Sequence, residues 1–269
     1  MKIQFGEITG NDLNEIRKLQ PEGWNDIVPE YELYVRNKFC FPKKAMLDKK
    51  MVGIGTLIVF DSTAWLAHII VDKNHRNNRI GFTITEELIN DGKDKSAETL
   101  LLIATELGFP VYKKLGFSAI SAYSFLTRDK PRKDYLLSPN IFPYEDSFEL
   151  KIYELDEKIS GENRRRLLKD FLKNALIYID NSSLLGFYLP DLGEGLILAS
   201  TTEAGLELMK IKYSKADKAV LPGQNHAGVD FLKQNGFTLS DTIGTRMILG
   251  KEIEWKPAEI YSRIGGNYG

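Results

Sequence analysis

A polar stretch after an apolar run is the part of the sequence best suited to chemistry. It reads VDKNHRNNRIG from Val71 to Gly81 and precedes an amphipathic pattern. Backbone N–H groups at a helix N-terminus carry partial positive charge, and a small residue lets an anion approach them. The stretch predicts a phosphate-binding loop, although Arg79 stands where a glycine is expected. The alternative is a solvated polar turn.

Composition limits the class of protein. Of 269 residues, 43% are hydrophobic and 27% charged, which is typical of globular chains long enough for one large domain or two smaller ones. The net charge of −1 does not favour a polyanion binder, so no nucleic-acid partner is expected.

One cysteine, Cys40, and three scattered histidines predict no metal site. The sequence has no signal profile and no apolar run of about 20 residues, so we expect no membrane association and a cytoplasmic protein.

Hydrophobic periodicity in the first 126 residues predicts the order β-α-β-β-β-α-β-α-β. An aromatic-rich region near residues 24–41 is left without an assigned element. The predicted strands lie at 3–8, 45–47, 51–60, 64–71, 99–104 and 117–126. The first predicted helix is capped by residue 11 or 12 and runs to 21, and the other two lie at 81–90 and 107–114.

The second half of the chain repeats this kind of order. Three prolines and many charges at 127–147 suggest a connector. We therefore expect an N-terminal domain at 1–130, a linker at 131–147 and a C-terminal domain at 148–269. The latter is predicted to begin with a strand at 148–153 and a helix at 161–173, followed by strands at 176–179, 184–189 and 196–199.

An internal repeat supports two related domains. Shifting the chain by 120 residues places LLIATELGFPVYKKLGF, from Leu101, over LPGQNHAGVDFLKQNGF, from Leu221, with five identities. Both windows have the layout of an apolar strand, a short helix and a Gly-Phe entry into a strand. A duplicated unit produces this pattern.

Several motifs together resemble the GNAT superfamily of acyl-CoA-dependent N-acyltransferases. The strand ending IIVD is followed by HRNNRIG, where the family has Arg/Gln-x-x-Gly-x-Gly/Ala. ATELGFPVYKKLGF is similar to the Ala-Thr-x-x-Gly-x-x-x-Tyr-x-x-x-Gly-Phe phrase of a tandem-domain branch, and RMILG at Arg246–Gly250 matches that branch's closing phrase. The resemblance implies an α/β (α+β) fold of two GNAT-like domains. Each domain would have a mixed, mostly antiparallel sheet flanked by helices.

The resemblance also implies where acetyl-CoA would bind as co-substrate. The pantetheine arm would pair with the backbone of the fourth strand, and the loop would hold the pyrophosphate. Thr105 could bond the pantetheine amide or merely cap its strand. The implied cofactor-binding residues are Ile69, Ile70, Val71, Arg76, Asn77, Asn78, Arg79, Ile80, Gly81, Thr83 and Thr105.

The resemblance makes Tyr112 the candidate general acid for the departing thiolate, with a packed aromatic as the alternative. No carboxylate occupies the fourth strand where many family members carry a glutamate, so His68 is the titratable candidate there. Its pKa range suits accepting a proton near neutrality, whereas the alternatives are a packed histidine and deprotonation through water. Asp26 and Glu30 could attract a cationic amine or be surface charges.

The C-terminal half lacks an equivalent loop, and the 120-residue offset places Leu232 opposite Tyr112 and Asn225 opposite Thr105. We expect it to bury the open face of the first domain and to help shape an acceptor pocket, and not to run a reaction of its own. His226, Arg246 and Trp255 are the candidate pocket residues, with structural roles as the alternative. The resemblance therefore implies that the chain transfers an acyl group, namely acetyl from acetyl-CoA, to a small-molecule or peptide amine. The alternative is a non-catalytic acyl-CoA binder or sensor. The acceptor and the oligomeric state are not predicted.

Overall fold

The chain packs as two compact units in a computed structural model that describes residues 3–129 and 134–269. The N-terminal unit comprises residues up to Ser118 together with Met247–Lys251. The C-terminal unit comprises Ala119–Arg246 and Glu252–Gly269. Among the described residues, no helix is both long and apolar enough to cross a bilayer.

The elements alternate between strands and helices along the chain. The strands are β1 Gln4–Glu7, β2 Cys40–Leu47, β3 Lys50–Phe60, β4 Thr63–Val71, β5 Thr99–Ala104, β6 Ser118–Thr127, β7 Ile141–Pro143, β8 Leu176–Asp180, β9 Ser183–Leu189, β10 Leu196–Ala199, β11 Lys218–Pro222, β12 Thr238–Leu239, β13 Gly244–Gly250 and β14 Ile260–Ser262. The α-helices are α1 Leu13–Leu19, α2 Val28–Arg36, α3 Ile80–Asp94, α4 Phe109–Lys114, α5 Glu149–Ser160, α6 Arg165–Leu168, α7 Thr202–Tyr213 and α8 His226–Gln234.

The N-terminal unit is built on the strand order β1-β2-β3-β4-β5. Neighbouring strands are antiparallel except β4 and β5, which are parallel. Helix α3 packs closely on β3 because Gly53 and Gly55 offer no side chain: a Cβ at Gly53 would lie 2.7 Å from Ile84 Cδ1. The apolar face of α3, with Ile80, Ile84 and Leu88, is fully buried there.

The C-terminal unit holds a second sheet of order β14-β10-β9-β8-β7, with antiparallel neighbours. In the same unit β6 pairs with β11 and β12. Helix α7 packs against this second sheet and contributes Leu208, Met209 and Tyr213 to the core. The predicted class of mixed, mostly antiparallel sheets flanked by helices is confirmed.

Two helices of the structure are absent from the sequence prediction. Helix α2 lies in the aromatic region left unassigned, and it buries Val28, Tyr31 and Tyr34 at a spacing of three residues. The strand predicted at 148–153 is wrong, because α5 occupies that segment. The apparent alternation arose from Leu150, which is exposed, whereas Ile152 belongs to the buried helical face.

The helix predicted at 161–173 is wrong in extent. Only α6 is α-helical there, and a 3-10 helix follows at Lys169–Asn174. Gly161 adopts a left-handed conformation with φ 74° and ends α5. The glycine read as a helix start is therefore a helix stop.

The compact units do not follow a simple division of the chain. Residues 119–127 of β6 belong to the C-terminal unit, while Met247–Lys251 belong to the N-terminal unit, where Lys251 N donates to Glu98 O at 3.0 Å. The domain boundaries at 130 and 148 stay a prediction, and part of the predicted linker lies outside the described residues.

Candidate active site

The polar stretch after β4 forms a loop that its own side chains hold in place. The Asp72 carboxylate accepts from Asn74 N at 3.1 Å and lies 2.8 Å from His75 Nδ1. Asn78 Nδ2 donates to the carbonyls of His75 and Arg76. These bonds fix the backbone ahead of α3, so the loop meets the helix in a defined conformation.

Arg79 is the N-cap of α3 and has φ 61° and ψ 8°, which is the left-handed region. Its side chain makes no capping hydrogen bond, and its guanidinium carbon lies 5.2 Å from the centre of the Phe82 ring. The first helical bond is donated by Thr83 N to Arg79 O, so the N–H groups of residues 80–82 precede the bonded ladder.

When a left-handed residue precedes a right-handed helix, the successive backbone N–H groups point toward a common position. This is an anion-binding arrangement. Gly81 keeps the approach open, since a Cβ there would meet only Val71 Cγ2, at 3.6 Å. The backbone explains why a glycine was expected at position 79. Arginine adopts the same conformation at a cost of about 1 kcal/mol.

Strand β4 is irregular at its centre. Its pairing with β3 shifts, so that Ile70 opposes Ile54 while Ala67 opposes Thr56. The extra residue gives His68 a φ of 47°. A bulge of this kind re-aims a side chain and frees backbone groups, and bulges are frequent beside active sites.

The pairing of β4 with β5 is short. It joins Thr63–Trp65 to Thr99–Leu101, and the described ladder ends there. The second half of β4, with Ile69, Ile70 and Val71, therefore diverges from β5 and leaves a strand edge next to the loop. An extended group can hydrogen-bond to such an edge.

Three aromatic side chains surround His68. Tyr34 Oη lies 2.8 Å from His68 Nδ1, and Tyr31 Oη donates to His68 O at 3.5 Å. The Trp24 ring, which is 44% exposed, has its centre 6.3 Å from that of the imidazole. Burial lowers the pKa of His68 to about 4, so the ring is neutral at pH 7.

The lowered pKa of His68 predicts an acid-sensitive fold. The unfolded chain binds the proton more readily, so the stability contributed by the neutral ring is present above pH 6.5 and is lost as the pH falls toward 4. Between pH 7 and pH 5 this contribution falls by about 2 kcal/mol. The variant His68→Asn removes the titrating ring, and asparagine tolerates the positive φ at this position. Urea unfolding at both pH values should show a pH dependence smaller by that amount, and an unchanged dependence would contradict the assignment.

Tyr112 lies in α4 and is almost fully buried. Its ring centre lies 6.2 Å from that of Phe117 in an edge contact, and a Cβ at Gly108 would come within 2.6 Å of the Tyr112 ring. Burial raises the pKa of the phenol to about 12, so it carries its proton at neutral pH. Thr105 Oγ1 accepts from Gly108 N at 3.3 Å at the start of this helix.

The other candidates are engaged in structural contacts. Asp26 pairs with Arg17 at 2.9 Å, and a hydrogen bond from Val28 N, followed by that pair, holds its pKa low. Arg246 pairs with the buried Glu162 at 3.4 Å and lies 4.2 Å from the Trp255 ring centre.

The remaining candidates occupy ordinary positions on helices. Glu30 lies half-buried in α2, and His226 begins α8. Across residues 3–129 and 134–269, no group of three or more metal-binding side chains is found.

The structure brings most of the predicted site residues into the N-terminal unit. His68, the β4 edge, the loop, Thr105 and Tyr112 all belong to it. Tyr31 and Tyr34 are not among the residues predicted from the sequence. Their recurrence at helical spacing within the aromatic region was the signal that could have revealed them.

Comparisons with known proteins give a family match in this part of the chain. Residues 11–117 match the model of the Acetyltransferase (GNAT) family. A search of curated protein sequences finds no match.

Three solved structures share the fold. A provisionally assigned acetyltransferase from Pyrococcus horikoshii is 20% identical with a TM-score of 0.82, over 99% of this chain and 96% of its own. A GCN5-related N-acetyltransferase from Sphaerobacter thermophilus is 12% identical with a TM-score of 0.64, over 92% and 95%. A glucosamine N-acetyltransferase region of a fungal multi-domain enzyme is 11% identical with a TM-score of 0.66, over 92% and 38%. At these identities the likeness concerns the fold alone.

Proposed function

We propose that this chain transfers an acetyl group from acetyl-CoA to an amine, because residues 11–117 match the model of the Acetyltransferase (GNAT) family. The N-terminal unit would carry the reaction. The observation that carries the proposal is the combination, in one unit, of an open helix N-terminus after Arg79 and an unpaired β4 edge.

The loop fits the diphosphate of CoA. Residues 80–82 offer backbone N–H groups, and the left-handed conformation of Arg79 directs them outward. Arg76 and Arg79 add positive charge at the same place. In this proposal the diphosphate site, which we call the cradle, comprises residues 76–83. Its further polar groups come from Asn77, Asn78 and Thr83.

The β4 edge fits the pantetheine arm. Ile69, Ile70 and Val71 have backbone groups beyond the last pair with β5, and amide groups of an extended arm can bond to them. The bound co-substrate supplies an acyl thioester. A backbone N–H at the β4 bulge would polarise its carbonyl and so stabilise the oxygen that becomes negative.

Two side chains are assigned to proton movement. Tyr112 Oη carries a proton at pH 7 and would give it to the sulfur as the C–S bond breaks. In the tautomer whose Nδ1–H donates to Tyr34 Oη, His68 Nε2 has a free lone pair, which would take the proton that the attacking nitrogen loses as its bond to carbon forms. A pKa near 4 makes His68 a weak base. We therefore assign it the transfer of the proton that the nitrogen loses as the C–N bond forms, and not the deprotonation of a free ammonium group.

The test is acetyl-CoA turnover against a panel of amines, read as free thiol. The proposal predicts turnover with at least one amine above the rate without amine. Tight CoA binding with no turnover on the panel would favour an acyl-CoA sensor. No thermal shift with CoA would favour a scaffold and would contradict both.

Arg79→Gly should change stability and affinity in opposite directions. Glycine adopts the left-handed conformation without strain, so the free energy of unfolding should rise by about 1 kcal/mol. Loss of the guanidinium should weaken CoA binding about fivefold, since a partly exposed charge pair contributes about 1 kcal/mol. Urea unfolding and calorimetric titration measure the two effects. Equal or tighter CoA binding would show that Arg79 contributes only its backbone.

Tyr34→Phe should lower kcat about tenfold and leave the KM for acetyl-CoA within twofold. The phenol fixes the imidazole through Nδ1, and its loss frees the ring to rotate. Tyr31→Phe is the matched control, since its hydroxyl contacts the His68 carbonyl oxygen and not the ring. Equal effects of the two variants on kcat would contradict a positioning role specific to Tyr34.

A further inference from the structure

The two units differ in what lies at corresponding strand edges. In the N-terminal unit, β4 leaves β5 after Trp65. In the C-terminal unit, β10 is the strand before the long helix, and β11 is the strand that the 120-residue repeat aligns with β5. There the space beside β10 is filled by β14, a segment of the chain's own C-terminal tail.

Backbone hydrogen bonds hold this tail on both sides. On one side β14 pairs with β10, with Ser262 opposite Ile197 and Ile260 opposite Leu198. On the other side Arg263 N donates to Val220 O of β11 at 3.2 Å. The tail therefore lies as an extended strand between β10 and β11.

A side chain of the repeat holds the tail as well. Asn225 occupies the position that aligns with Thr105, and its Nδ2 donates to Ile260 O at 3.0 Å. Its Oδ1 accepts from Gly228 N at 2.8 Å and caps α8. The residue that aligns with the proposed pantetheine contact thus binds the tail backbone.

The N-terminus of α7 is closed by the chain itself. Thr201 accepts from Ala204 N at 3.3 Å, which is a side-chain cap that Arg79 does not provide for α3. Tyr261 is buried over Gly205 in the first turns of α7, where a Cβ would lie 2.3 Å from the ring. A diphosphate could not approach this helix as it could approach α3.

Charged side chains make contacts at the C-terminal end of β14. Arg263 forms two hydrogen bonds to the Glu194 carboxylate, at 2.7 and 3.0 Å, and is 7% exposed. Lys212 Nζ donates to Ser262 Oγ and to the carbonyl of Gly195. The buried polar groups of this segment are therefore paired within the C-terminal unit, which stabilises the tail strand there.

We propose that Ile260–Arg263 is a built-in occupant of the C-terminal unit's strand groove, lying where a pantetheine arm would lie in the N-terminal unit, so that each chain binds one acyl-CoA. The equivalence of the two grooves rests on the proposed function. The occupancy by the tail does not, because it is carried by contacts within the C-terminal unit. Acyl-CoA does not displace the tail.

The test compares cleavage by trypsin at two bonds in the full-length protein. Arg263–Ile264 reports release of the tail, and Arg128–Asp129, after another buried arginine of the C-terminal unit, reports unfolding of that unit. Gly205→Ala forces Tyr261 off α7 and should raise cleavage at Arg263 at least tenfold, with less than a twofold change at Arg128. In a Tyr261→Ala background, the same glycine change should raise cleavage at Arg263 less than twofold.

Two further measurements keep the proposal open to refutation where Gly205→Ala unfolds the protein. In the wild type, the Arg263 amide should exchange its hydrogen at least a thousandfold more slowly than an exposed amide, with and without acetyl-CoA. Rapid exchange would overturn the proposal. Native mass spectrometry with CoA should give one ligand per chain. Two ligands would overturn the proposal, whereas none would contradict the proposed function and leave tail occupancy intact.

Discussion

Replacing Tyr112 by phenylalanine should lower kcat about a hundredfold, while CoA binding stays within about twofold. Positioned general acids contribute at least this much to rate. The phenol is neutral at pH 7 because burial raises its pKa to about 12, so it can supply a proton to the sulfur. Phenylalanine keeps the contacts with Gly108 and Phe117 that hold the ring. Steady-state rates measure the first effect, and calorimetric titration with CoA measures the second.

The matched control is Tyr153→Phe. Tyr153 is another buried tyrosine, in the C-terminal unit, whose hydroxyl donates to Glu149 at 2.8 Å. Its loss removes one hydrogen bond away from the proposed chemistry, so kcat should stay within about twofold. If Tyr112→Phe turned over as fast as the control, proton donation by Tyr112 would be refuted.

Gly81→Asp should weaken CoA binding about a hundredfold without unfolding the protein. A Cβ fits at this position, with Val71 as its nearest neighbour at 3.6 Å. A carboxylate in the first turn of α3 interacts favourably with the helix dipole, so the free protein should be as stable or up to about 1 kcal/mol more stable. The same carboxylate occupies the anion site and repels a diphosphate. Calorimetric titration and thermal unfolding measure the opposed effects.

Two control substitutions separate the effect of a carboxylate at position 81 from the effect of side-chain size and from the effect of adding one negative charge to the protein. Gly81→Ala adds the methyl group alone and should weaken CoA binding less than tenfold. Gly10→Asp places a carboxylate at another glycine that begins a helical turn and has open space around it, and it should leave CoA affinity unchanged. If Gly81→Asp bound CoA as well as Gly10→Asp, the diphosphate would have to lie elsewhere.

The sequence predicted well the elements whose pattern is local. Strand β10 was placed at its observed bounds, and α3 within a few residues, because one apolar face dominates each element. Helix α5 was missed because its buried face includes Asp156, which pairs with Arg164. A buried carboxylate does not count as apolar in a periodicity, so the helical signal was weakened.

The residues of the candidate site stay a prediction, and only part of their setting can be read from the sequence. The loop is predicted from its polar residues between an apolar run and a helical pattern, whereas the strand residues Ile69, Ile70 and Val71 are implied by the family resemblance. Arg79 is unusual already in the sequence, but its left-handed conformation is visible only in the structure. The contact between Tyr34 and His68 joins residues 34 positions apart, and hydrophobic periodicity carries no information about such pairs. The tail strand β14 was equally out of reach, because three residues give no reliable pattern.

In the proposed function, this chain binds one acyl-CoA in its N-terminal unit, at the loop after β4 and the N-terminus of α3. Calorimetric titration of the wild type and Gly81→Asp with acetyl-CoA, at equal protein concentration, tests it most directly. We expect one site per chain in the wild type and an affinity about a hundredfold lower in Gly81→Asp. Absence of binding to the wild type, or equal binding by both proteins, would contradict it.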